Sequence, residues 1–383
     1  LATSLSILYA GSSGATRDQI EKLLGMESLI SEDELHHTFQ YVQKTLKTDI
    51  GNTTLRVANG IFTSKGLKFQ QGFTDLVEDF YHGETFSLDF DDTKSIEHIN
   101  TWISNQTDNL IEEGLGPGMV HPPVLLLLLS IAHFQGLWAF PFDPKKTKLS
   151  QFYLAPNIGK SMYMMHQEKQ RLCYGDVPSL KSKILELPFE GDALSFYIIL
   201  PNDVTGLAQV ERVLSSNLIW QAISRMVLVN VELVLPRFKL DTRLDLHSSL
   251  GALGSELLLS PSLAQLSGIV QGPNLFVSGM TQNTVFELTE KGVEAASLLG
   301  QQIALSAINS VYQVTVDHPF LFFILDKRTK IPLFMGRMVI PPEGSDMLAK
   351  ANLDQQDSSR ASRALIYHSA LFTALVLLHT MLF

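Results

Sequence analysis

The run Glu290-Lys291-Gly292-Val293-Glu294-Ala295-Ala296-Ser297 constrains this chain more than any other stretch. It follows strand-like text at Val285, Phe286 and Leu288. After it, neither Lys nor Arg recurs before Lys327, and no proline before Pro319. Small side chains let a backbone slide into a crowded sheet, and Gly292 supplies a swivel that other residues cannot give as cheaply. A segment able to be both exposed loop and buried strand implies two stable arrangements of one chain. That is a mechanical function, not a catalytic one.

A switch of this kind needs a large body. The chain has 383 residues, 45% apolar and only 18% charged, enough for a sizeable core in one large domain or two ordinary ones. A net charge of −10 argues against nucleic acid and anionic surfaces. The local cluster Lys145-Lys146-Thr147-Lys148 reads as a solvated turn. The single cysteine, Cys173, rules out an internal disulfide and reads as a plain strand residue. No Met opens the chain, which starts in helix-like text (Leu5, Ile7, Leu8), so a truncated or processed N-terminus is expected.

Helices are expected early. Thr16 with Gln19, and Ser31 with Glu34, each match a capping box, with Gly25 closing the first helix and Leu35, Phe39, Val42 and Leu46 lining the second. A further helix is expected over His98–Leu110, carrying Trp102. Leu55–Phe62 has strand composition, with a turn at Ser64-Lys65-Gly66. The apolar run Val124–Ala132 is too short to span a bilayer and reads as a central strand covered on both faces. Leu194–Leu200 and Val229–Leu235 are further strands, and Leu321–Leu325 with Leu333–Met335 form a hairpin around Asp326-Lys327-Arg328-Thr329. Helices first and strands later imply an α+β fold with large antiparallel sheets.

No catalytic chemistry can be assembled. The 11 histidines lack metal-ligand spacing, and Gly114-Leu115-Gly116-Pro117-Gly118 has neither the strand nor the Lys-Ser/Thr of a phosphate loop. Gly11-Ser12-Ser13-Gly14 joins two helices and is no nucleophile elbow. Neither a metal nor a cofactor is expected, and an enzyme is the weaker hypothesis.

Several blocks in order resemble the serpin family over residues 1–341. They are Ala58-Asn59-Gly60-Ile61-Phe62, Ile99-Asn100-Thr101-Trp102 with Thr107, Phe134-Gln135-Gly136-Leu137-Trp138 through Pro141-Phe142-Asp143-Pro144, Met164-Met165, Leu185–Phe189, Pro236-Arg237-Phe238, Leu266–Ile269, and Asp317-His318-Pro319-Phe320 through Phe334-Met335-Gly336-Arg337. The resemblance implies helices packed on large, mostly antiparallel sheets, with an exposed reactive loop. A serine protease would cleave that loop as bait, and the cut loop would enter the main sheet as an extra strand, trapping the acyl-enzyme. Glu290 would open the hinge and Gly292 be its swivel, with Ala295, Ser297 and Leu299 facing the core after insertion. The usual loop length puts the scissile bond at Ser306-Ala307, and Leu305-Ser306 is the rival because leucine fits an apolar primary pocket; the candidates thus span Leu305, Ser306, Ala307 and Ile308. With no basic residue in reach, a chymotrypsin- or elastase-like target is expected rather than a trypsin-like one.

The sequence also departs from the family pattern. Ser130 and Gln282 stand where an asparagine and a histidine are common, and Leu298 and Leu299 are bulkier than usual, so a non-inhibitory carrier, chaperone or inert relative is the alternative. Because the chain starts inside a helix, it is expected to lack a helix and strand that normally complete the core in the family. In the helix matching heparin-type sites, Ser31–Thr48, the only fixed positive charges are Lys44 and Lys47, so polyanion activation is not expected and the chain should act as a monomer. Asn52 and Asn105 head glycosylation sequons in keeping with a secreted, extracellular protein. Beyond Pro341, residues 342–383 form a polar linker and then an apolar run, Ala364–Phe383. The tail has three readings: a lipid-anchor signal, a short membrane anchor, or an aberrant gene-model end appended to the domain.

Overall fold

The structure, a computed structural model, describes residues 2–25, 31–47, 53–109, 111, 114–116, 124–272, 275–293 and 310–339. Helix α1 (Ala2–Ala10) buries Leu5, Ile7 and Leu8. Helix α2 (Gly14–Leu24) ends on Gly25, whose φ of 70° turns its N–H back to the carbonyls of Glu21 and Lys22. The Thr16–Gln19 pair does not cap α2, which begins at Gly14 behind Ser13. Thr16 Oγ1 instead accepts from the Gln265 N–H at 3.0 Å, and Gln19 Oε1 from the Leu257 N–H at 3.1 Å. The same side-chain chemistry ties the helix to a distant loop. At α3 (Glu32–Lys47) the box forms as expected: Ser31 N–H donates to the Glu34 carboxylate (2.8 Å), and Glu34 N–H to Ser31 Oγ (3.3 Å).

Strand β1 (Thr54–Ser64), β2 (Lys68–Phe69), α4 (Gln71–Tyr81) and β3 (Glu84–Leu88) lead to α5 (Lys94–Gln106). This helix starts at Lys94, not His98, because the Asp92 carboxylate accepts the Lys94 N–H at 3.0 Å. It stops at Gln106, not Leu110, because Asp108 and Asn109 take left-handed φ values of 51° and 64°. Then come β4 (Leu126–Leu137), β5 (Lys148–Ala155), β6 (Ile158–Val177), β7 (Ser182–Pro188) and β8 (Leu194–Pro201). Helices α6 (Leu207–Val213) and α7 (Ser216–Ser224) precede β9 (Val227–Pro236), β10 (Phe238–Asp245) and α8 (His247–Ala252). The chain closes through β11 (Val270–Gln271), β12 (Gly279–Leu288), β13 (Gly292–Val293), β14 (Val311–Thr315), β15 (Phe320–Asp326) and β16 (Ile331–Met338). The expected β15–β16 hairpin forms; the buried Asp326 carboxylate shapes its turn by accepting the N–H of Arg328 at 2.8 Å and of Thr329 at 3.3 Å.

Two large sheets result. The first runs β10-β12-β4-β1-β3, with β13 on the end of β4; the second runs β14-β9-β6-β7-β8-β15-β16, with β5 on β6. The apolar text of β4 needs no alternation because both of its faces are covered. Leu127, Leu129 and Ile131 pack with Ile99, Trp102 and Ile103 of α5, while Leu126 and Leu128 pack with Leu5 and Leu8 of α1. Between the sheets lies an aromatic core that includes Phe134, Phe189, Phe196, Phe286 and Phe322.

Candidate functional site: the end of the central seam

Strand β12 does not run straight out into a loop. Thr289 N–H donates to the Gly292 carbonyl at 2.8 Å, Gly292 N–H returns to the Thr289 carbonyl at 3.2 Å, and Thr289 Oγ1 adds a third bond at 2.7 Å. The chain is thereby reversed, and Gly292 and Val293 lie antiparallel against the end of β4, opposite Leu137 and Gly136. Gly292 has φ 134°, and a Cβ there would sit 2.1 Å from the Gly136 carbonyl oxygen. Glycine is required twice, by conformation and by close approach.

Glu290 sits at the crest of this turn yet is only 6% exposed. Its carboxylate accepts from Thr147 Oγ1 at 2.7 Å and faces Arg237 Nη1 at 3.7 Å. Its carbonyl accepts the Phe142 N–H at 2.8 Å. A buried carboxylate without such partners would be costly. Trp138 completes the clamp: its indole N–H donates to the Thr289 carbonyl (3.0 Å) and its backbone N–H to the Lys291 carbonyl (3.0 Å). The indole stacks on Phe189 at 4.7 Å, so one buried aromatic both packs in the core and holds the turn. The segment is therefore anchored at Glu290.

Below the turn, β12 and β4 pair in parallel from Gly279 opposite Leu127 to Val285 opposite His133. This seam is half polar. Gln282 stands opposite Ser130, which faces Asn59 of β1 on its other side, and Asn283 stands opposite Ile131. The two substitutions noted in the sequence thus meet in one row across the sheet.

Of the residues singled out in the sequence, Glu290, Lys291, Gly292 and Val293 come together at this turn, with Lys291 exposed. Glu294, Ala295, Ala296 and Ser297 lie outside the described residues, as do Leu305, Ser306, Ala307, Ile308, Asn52 and the tail from residue 340. Asn105 is exposed in the last turn of α5, not in the middle of a helix. Thr147, Arg237 and Phe142 were not anticipated as partners of Glu290. The turn reading of Lys145–Lys148 fits Lys145 and Lys146, but Lys148 opens β5 and Thr147 between them serves the buried carboxylate. Burial, then the neighbouring Glu186, pushes the Cys173 thiol up and away from the reactive thiolate. Among the described residues no group of three or more His, Cys, Asp or Glu could hold a metal ion, and no helix is long and apolar enough to cross a membrane.

A family model described as Serpin (serine protease inhibitor) matches residues 1–341. The chain is a serpin. Leukocyte elastase inhibitor of Bos taurus is 33% identical to it over 351 residues, covering 89% of this chain and 91% of that protein. Leukocyte elastase inhibitor A of Mus musculus is 31% identical with the same coverage. Among solved structures, human thyroxine-binding globulin is similar with a TM-score of 0.81 at 26% identity, covering 89% of this chain and 90% of that one. The helices and large mixed sheets of this serpin are thus those of its family.

Proposed function

We propose that this serpin inhibits an elastase- or chymotrypsin-like serine protease by suicide cleavage within Leu305–Ile308, followed by entry of the cut loop between β4 and β12. It is consumed in the act and is not itself an enzyme. One observation carries the reading: Gly292 and Val293 already occupy the first antiparallel positions beside β4. Continuing that register brings Ala296 opposite His133. Continuing the Thr289–Gly292 pairing brings the same Ala296 opposite Val285. His133 and Val285 are themselves partners in the seam, so an incoming strand would meet both neighbours in phase. In that register Ala295, Ser297 and Leu299 turn inward with Phe134 and Ser130, as alternation requires.

The target class draws support from the names of the elastase-inhibitor relatives and from the lack of Lys or Arg between Lys291 and Lys327. We further propose monomeric action without polyanion activation, because α3 opens on Glu32, Asp33 and Glu34. Extracellular action is proposed on the two sequons, of which Asn105 is on the surface; a glycosidase-sensitive mass shift on the protein from its native source tests it. Residues 1–341 would be the inhibitory unit and 342–383 an appendage.

The alternative is a non-inhibitory carrier, chaperone or inert relative. It is favoured by the Ser130–Gln282 row, and by likeness to a protein named for binding thyroxine.

The deciding experiment is incubation with elastase- and chymotrypsin-like proteases, read on a denaturing gel with mass spectrometry. A complex surviving denaturation, with a released peptide starting at Ser306 or Ala307, is expected. Clean cleavage with no gain in heat stability would overturn inhibition in favour of the alternative.

A further inference from the structure

Strand β10 closes the first sheet on one side. It pairs with β12 from Phe238 opposite Leu288 to Asp245 opposite Thr281, and among the described residues no strand lies on its other side. Its side chains alternate. Phe238 is buried and Leu240, Thr242 and Leu244 are half-buried, while Lys239, Asp241, Arg243 and Asp245 are exposed. The exposed four share one face of the strand, and their signs run plus, minus, plus, minus. The molecule itself makes little use of them. Arg243 Nε lies 3.9 Å from Asp241 Oδ1, a marginal ion pair, and Asp245 Oδ1 accepts the His247 N–H at 3.0 Å. On β12 the same face sets Glu287 opposite Lys239, and Val285, Asn283 and Thr281 opposite the other three. Exposed edges are commonly guarded by proline, a bulge or lysines. Here there is no proline, the register with β12 runs unbroken, and the charges balance.

We propose that β10 is a docking edge for β10 of a second copy of this chain, antiparallel and centred on Thr242. A two-fold axis there sets Lys239 opposite Asp245 of the second copy and Asp241 opposite its Arg243, and each pairing occurs twice. All four charges on each strand then meet an opposite charge. A slip of two residues either way brings Asp241 against Asp241 or Arg243 against Arg243, and a slip of one sets charged residues against apolar ones. The register is thereby fixed. The other face agrees, because Leu240 meets Leu244 of the second copy on both sides of Thr242 and extends the apolar layer across the join. Paired residues share the same parity, so their free N–H and C=O groups face one another and the ladder continues between sheets. A second copy is favoured over a foreign strand because this edge is complementary to itself. Eight residues a side make a small interface, so the dimer should dissociate on dilution. Each protomer keeps its own turn at Gly292, and the monomer remains the acting unit proposed above.

The test is sedimentation equilibrium of the full chain at concentrations reaching about 100 μM, where weak complexes populate. The unsubstituted chain should pass from monomer to dimer and stop there, because a two-fold join closes on itself. Lys239→Glu and Asp245→Lys should each weaken the dimer about ten- to a hundredfold, since one substitution sets like charges together at two places. An equimolar mixture of the two variants should dimerise again. In the mixed pair every charge meets its opposite, and the total charge equals that of two unsubstituted chains. Recovery would also show that both variants are folded. A chain that stays monomeric throughout overturns the proposal and leaves the edge to a foreign strand or to solvent. A dimer that both variants form as well as the unsubstituted chain overturns it too, because the join then lies on another face. So does a series of species beyond the dimer, or a failure of the mixture to recover.

Discussion

Two seams in this molecule join strands remote in sequence, and they are built to opposite standards. Between β8 and β15 the pairing is antiparallel, and its central partners are apolar on both sides: Leu321 with Ile199, Phe322 with Ile198, Phe323 with Tyr197, Ile324 with Phe196. The rings of Phe323 and Tyr197 stack at 4.9 Å. Between β4 and β12 the pairing is parallel, and the middle of the seam sets Thr281, Gln282, Asn283 and Thr284 against Leu129, Ser130, Ile131 and Ala132. Parallel pairs are slightly weaker per residue, and polar side chains add little burial. One seam is sealed for good. The other holds the native state with weaker pairs, and it is the one that the proposed mechanism would replace.

The largest test of this contrast lies in the sealed seam. Phe323→Ala should cost about 3–5 kcal/mol, as deep aromatic truncations do. Denaturant titration should find the loss in the uncleaved and loop-cleaved forms alike, because this seam is the same in both. Unequal losses would mean that the second sheet also rearranges.

A smaller and selective effect is expected at the turn. Gly292→Ala places a Cβ against the Gly136 carbonyl and forces a left-handed φ, worth about 1–3 kcal/mol for the strained backbone alone. Its loss should fall on the uncleaved form, where the Thr289–Gly292 reversal must be kept. An equal loss after cleavage would show that the turn persists when the strand enters.

How much of this was legible in the sequence depends on the reach of each interaction. The β15–β16 hairpin, the doubly covered β4 and the Ser31–Glu34 box declare themselves within a few neighbouring residues, and they are present. Thr16–Gln19 carries the same local pattern but bonds to Gln265 and Leu257, so pattern alone could not tell cap from tether. The boundaries of α5 were written in Asp92 and in Asp108-Asn109, polar residues whose termination role was overlooked. The hinge text showed that Gly292 must be special. It could not show that Glu290 is buried, because its partner Thr147 lies 143 residues away.

The smallest expected effect lies away from both seams. His36 on α3 is buried, its Nδ1 2.6 Å from the Tyr81 hydroxyl, and burial lowers its pKa despite the opposing pull of Glu32 and Asp33; Arg17 nearby adds to the lowering. The folded state therefore resists a proton that the unfolded chain accepts. Stability is fully present above the unfolded value of about 6.5 and is lost as pH falls from there through the lower folded value. His36→Gln should flatten that part of the pH–stability curve equally in uncleaved and cleaved protein. A change confined to one form would tie α3 and α4 to the opening of the seam.

The pairing of Gly292 with Leu137 would also fix parity for the strand entry proposed above. A strand has only two ways to present its side chains, and the first engaged pair chooses between them for all that follow. On the proposed insertion, the length between Gly292 and the cleaved bond would be constrained as strictly as composition. One residue removed just after Val293 would carry the bulk of Leu298 to the inner face and Leu299 to the outer, inverting the order of every tooth behind it. Substitutions along this segment can be graded; a single insertion or deletion is all or none.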